Sequence, residues 1–76
     1  MELKNFIRNF ASQFEETEMG DFFNSTQFKN LTEWSSLIAL SVIAMIDEEY
    51  KVTIKGDDIR NSTTIEDLFN IVKSKM

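Results

Sequence analysis

Residues 33–50 read EWSSLIALSVIAMIDEEY, and from Leu37 to Ile46 only Ser41 is polar. The run is too short to span a bilayer, which takes about 20 apolar residues. It is also too greasy for an ordinary surface helix, which shows one apolar stripe and one polar face. At 100° per residue the side chains sort into two groups. Ala39, Val42, Ile43, Ile46 and Tyr50 share one side, flanked by Ile38 and Met45, and make a stripe wide enough for a core. Leu37, Leu40 and Ala44 fall on the other side, beside Ser36, Ser41, Asp47 and Glu48. Either the chain that precedes the helix folds over these three, or they form an apolar patch rimmed by carboxylates, of the kind that marks protein contacts.

Working outward, Leu3, Phe6, Ile7, Phe10, Ala11 and Phe14 recur at helical spacing and predict an amphipathic first helix over about residues 2–15. Residues 17–34 have no sustained period. Phe22, Phe23, Phe28, Leu31 and Trp34 are available to anchor that stretch, so an ordered long loop with a helical turn is expected. After Tyr50, the alternation of Val52 and Ile54 is strand-like, but a single strand has no partner, and a connecting segment is expected. Asp57 is a candidate N-cap for a short helix through Ile59 and Arg60. Thr63 and Glu66 have the spacing of a capping box ahead of a last helix carrying Ile65, Leu68, Phe69 and Val72. The expected fold is all-α: one domain over 1–76, a small four-helix bundle of three main helices and one short one, with a long ordered loop between the first two.

Composition narrows the function. The 76 residues include no cysteine and no histidine, so disulfides and the usual zinc sites are ruled out. Seven phenylalanines, one tryptophan and one tyrosine supply the core instead. A net charge of −5 disfavours nucleic acid, whose phosphates need a positive surface, and suits basic protein partners. Asn24, Asn30 and Asn61 head glycosylation triplets that would matter only in a secreted chain; nothing suggests secretion, and a cytoplasmic, monomeric protein without membrane association is expected. The stretch GDDIRNSTTIED lacks the ligand spacing of a calcium loop. Ser35 and Ser36 stand where the second helix begins. One serves as an N-cap, and the other is a spare hydroxyl at a helix end that favours an attached anion. With no histidine in the chain and no lysine nearby in sequence, neither is a candidate catalytic nucleophile.

These residues carry a resemblance. WSSLIALSVIAMIDEEYKVTI is similar to the region of acyl carrier proteins that reads Asp-Ser-Leu followed by an apolar helix ending in acids and an aromatic. GDDIRNSTTIEDLFNIV resembles that family's short third helix and threonine-initiated last helix, and the first helix and long loop agree in length and pattern. The resemblance implies a carrier and not an enzyme, with 4′-phosphopantetheine esterified to Ser36 and acyl groups held on its thiol for fatty-acid or specialised lipid or polyketide synthesis. It implies docking by Leu37, Leu40, Ala44, Asp47 and Glu48 to a phosphopantetheinyl transferase and to ketosynthase- or acyltransferase-type enzymes with basic surfaces. It also implies an acyl cavity lined by Val42, Ile43, Ile46 and Phe69. Two departures stand out: Ser35 replaces the family's aspartate, leaving it as the alternative attachment hydroxyl, and Ile38 and Ser41 occupy positions where carboxylates are common. A rival reading needs no attached group: an interaction module that binds a partner through the exposed apolar face of the second helix.

Overall fold

The computed structural model describes residues 2–76 and is all-helical: α1 Leu3–Ala11, α2 Ser36–Tyr50, the short α3 Gly56–Arg60 and α4 Ile65–Ser74. No strand occurs among the described residues, and the chain from 51 to 55 is an extended connection that buries Val52 and Ile54. No helix among them is long and apolar enough to cross a membrane. The radius of gyration is 11.0 Å. A compact chain of this length should give about 11 Å, so the long loop is folded into the body.

Aromatic packing explains how the loop is held. Phe10, without solvent exposure, has its ring centroid 5.6 Å from Phe14, 6.3 Å from Phe22, 5.2 Å from Phe28 and 6.4 Å from Trp34. Phe6, one turn earlier, meets Phe69 of α4 at 5.6 Å and Tyr50 of α2 at 5.8 Å. One face of α1 thus joins the loop at one end and α2 and α4 at the other. Two 3-10 turns, Met19–Asp21 and Phe28–Asn30, punctuate the loop. Phe23, expected among the anchors, instead points outward at 60% exposure. Its neighbour Phe22 takes the inward place, and consecutive residues in extended chain face opposite ways.

α1 stops at Ala11, four residues short of the expected end. The amides of Gln13 and Phe14 bond to carbonyls three residues back, tightening the chain out of the α-helix. The next amides have another acceptor: the Glu33 carboxylate takes the N–H groups of Glu15 (2.7 Å), Glu16 (3.1 Å) and Thr17 (2.9 Å), and the Thr17 hydroxyl (2.8 Å). These bonds, that of Glu15 foremost, hold the Glu33 carboxyl below its ordinary value.

The caps are shifted from their expected positions. At α4, Thr64 and not Thr63 caps: its hydroxyl accepts from Asp67 N, while the Asp67 carboxylate accepts from the amides of Thr63 and Thr64. Glu66 accepts from the Asn24 side chain at 2.8 Å. The first amides of α4, at Ile65 and Glu66, donate to the loop carbonyls of Thr26 and Asn24, so the loop also closes this helix end. At α3 the N-cap is Lys55, whose N–H donates to Asp58, and Asp57 lies inside the helix. α2 ends on Lys51, a left-handed residue at φ 58°.

Three measurements test this description. Phe10→Ala should cost about 3–5 kcal/mol in urea unfolding, while Phe23→Ala should change stability by less than about 0.5 kcal/mol. Lys51→Gly should raise stability by up to about 1 kcal/mol, because glycine adopts the left-handed conformation without the Cβ penalty. The Glu33 contribution should be complete above its ordinary pKa of 4.5 and fade as pH falls through the lowered folded-state value. The gap in urea midpoint between the parent and Glu33→Gln should therefore be largest near neutrality and narrow in acid.

Candidate functional site

The second helix has three environments around its circumference. Val42, Met45 and Ile46 are buried, and these three form its core edge. The expected stripe is thus rotated: Met45 moves from flank to core, while Ala39, Ile43 and Tyr50 are only half-buried. Tyr50 remains tied to α1, its hydroxyl accepting from Asn9 Nδ2 at 2.9 Å. Ala39 and Ile43 face an open space shared with Ile59 and Arg60 of α3 and are therefore only partly covered.

The outward side is a ridge. Leu37 is 74% exposed and Leu40 62%, and Ala44, Asp47 and Glu48 are exposed with them. Of the two arrangements the sequence allowed, the loop does not fold over these side chains. A shallow polar cleft, which includes Ser41, Ala44 and Glu48 with Asn9 of α1 and Gln13 just beyond it, borders the ridge on one side.

On its other side lies an open groove of about 690 Å³. Ser36, Ala39, Leu40 and Ile43 form its α2 wall, Ile59 and Arg60 belong to α3, and Trp34 and Lys29 come from the loop. Ile43 is the one expected cavity residue that reaches it. Val42 and Ile46 have no exposure, and Phe69 is buried with its ring against Phe6. The other three lie in the buried core, and the open groove lies on the Ala39–Ile43 side of α2. Sequence reasoning did not find Lys29, Trp34, Ile59 or Arg60 as groove residues; they come from segments far apart in the chain, and no local spacing links them.

The two serines differ in role. The Ser35 hydroxyl accepts from Ile38 N at 3.3 Å, with backbone angles φ −155° and ψ 172°, and is the N-cap of α2. Ser36 is the first helical residue, exposed, beside the groove and outside the cap. Its hydroxyl stands at the positive end of a 15-residue helix, where an attached phosphate is favoured. Among the described residues no group of three or more acidic side chains is placed to hold a metal. Compared with known proteins, the chain matches no family model, no curated protein and no solved structure.

The division of labour is measurable by stability alone. Ser35→Ala should cost about 1 kcal/mol through loss of the cap, and Ser36→Ala should stay within about 0.5 kcal/mol of the parent.

Proposed function

We propose that this protein is an acyl carrier, with Ser36 as the attachment point of a 4′-phosphopantetheine arm. The observation that carries this reading is the separation of the serine pair: Ser35 is spent on capping, while Ser36 is exposed at the helix N-terminus, between an apolar ridge and an open groove. The residues present fit the group, because Ser36 is exposed and a phosphodiester on it would stand in the field of the α2 N-terminus. When attached, the arm supplies the thiol that this cysteine-free chain lacks, and so a place for acyl thioesters.

Attachment forms a bond from Ser36 Oγ to the β-phosphorus of coenzyme A and breaks the pyrophosphate P–O bond, releasing adenosine 3′,5′-bisphosphate. The serine proton goes to a base on the transferase, since this chain has no histidine. Leu37 and Leu40 then give partner enzymes an apolar contact one turn or less from the loaded serine, and Asp47 and Glu48 add charge at the far end of the ridge. The phosphopantetheinyl transferase, and ketosynthase- or acyltransferase-type enzymes after it, would meet that end with basic residues. The early turns of α2, with Ile38 and Ser41, place more of the docking on apolar contact than on ion pairs. The exposed ridge also supports a second reading, an unmodified module that binds a partner through Leu37, Leu40 and Ala44.

Incubation with coenzyme A and a phosphopantetheinyl transferase separates the two. The carrier gains the mass of one phosphopantetheinyl group, and Ser36→Ala gains none. No gain with several transferases favours the unmodified module, and a gain lost in Ser35→Ala but kept in Ser36→Ala moves the site.

A further inference from the structure

The groove beside Ser36 differs electrically from the rest of the molecule. Thirteen acidic residues outnumber eight basic ones in the chain, yet the groove is lined by two cations, Lys29 and Arg60, and by no carboxylate. Arg60 folds back along α3 and pairs with Asp57, which offsets its charge. Lys29 is different. Its ammonium donates to the Arg60 carbonyl at 3.0 Å, and among the described residues no carboxylate lies within ion-pair distance. An ammonium has three donors, so the bond that positions Lys29 leaves two to offer. Across from it the α2 wall is apolar beyond the serines: Ala39, Leu40 and Ile43, with Trp34 and Ile59 completing the surface.

An apolar trough with one uncompensated cation is complementary to an alkyl chain that bears an anion. A neutral chain would use the apolar walls alone, and a soluble anion would use the ammonium alone against the repulsion of a −5 protein. The volume, about 690 Å³, is in the range that encloses a small organic ligand. We infer that the groove takes an unbranched alkyl chain carrying a terminal carboxylate, and that Lys29 selects the acid over the neutral chain. This reading rests on the carrier proposed above for its biological sense. On that carrier the thioester consumes one carboxyl, so the cargo class is an acyl chain with a second carboxylate at its far end. The binding itself needs no arm on Ser36.

Trp34 is the chain's one tryptophan and lines the groove, so it reports occupancy directly. The unmodified full chain is titrated with decanoate and with decanol, each below its aggregation concentration, and followed by Trp34 fluorescence. Decanoate should bind tighter than decanol by about tenfold or more, the scale of one charge-assisted contact. Lys29→Gln should bring decanoate down to the affinity of decanol, and Lys29→Arg should keep the preference. Equal binding of the two probes, binding of neither, or a preference that survives Lys29→Gln overturns the inference. Failure of the transferase to load Ser36 while decanoate still binds would instead remove the carrier reading and leave the site.

Discussion

The structure depends on the burial of Phe10 among the rings of Phe14, Phe22, Phe28 and Trp34. A 76-residue chain without disulfides must order the long connection over residues 12–35, whose backbone entropy opposes folding at about 1–2 kcal/mol per residue. Short helices cannot offset that alone, and edge-to-face ring contacts add to burial where the loop crosses α1. The same cluster places Trp34, and Trp34 immediately precedes the serine pair. The position of Ser36 is thus a consequence of how α1 holds the loop. Glu33 works alongside: it takes three amides beyond the end of α1, so the segment leaving α1 and the segment entering α2 are joined by one side chain.

From this follows the three-sided use of α2. One edge is committed to the core through Val42, Met45 and Ile46. The outer edge carries Leu37 and Leu40 into solvent, which costs solubility and has no compensating contact within the chain. Between them lies the open groove, bordered on its far side by Ile59 and Arg60 of the short α3. The apolar excess of residues 37–46 is therefore divided among burial, a ridge and a trough, and Ser36 stands where ridge and trough meet.

Features set by local periodicity were legible in the sequence: the existence and order of the helices, the bounds of α2, and the grouping of Leu37, Leu40 and Ala44 on one side follow from spacing. Whether the loop covers that side does not. What spacing missed depends on partners distant in the chain. The early end of α1 reflects amides captured by Glu33, 16 to 18 residues away. Thr63-Thr64 followed by Glu66-Asp67 offers two equivalent capping registers, and the register adopted has Glu66 accepting from Asn24 and its amide donating to the Asn24 carbonyl. The burial of Met45, with Ala39 and Ile43 left half-buried beside the groove, is set by packing against the rest of the chain, which no helical wheel contains. The cationic lining of the groove joins Lys29 to Arg60 across 31 residues, and a whole-chain charge of −5 conceals it.

The central claim is that the two adjacent serines have separate duties, one closing the helix and the next bearing a covalent group. The most direct test is fragmentation mass spectrometry of the protein purified from its native source. The account predicts a peptide spanning Ser35 and Ser36 that carries phosphopantetheine, with or without an acyl group, and fragment ions that place it on Ser36. An unmodified peptide at full recovery, or the group on Ser35, would contradict it.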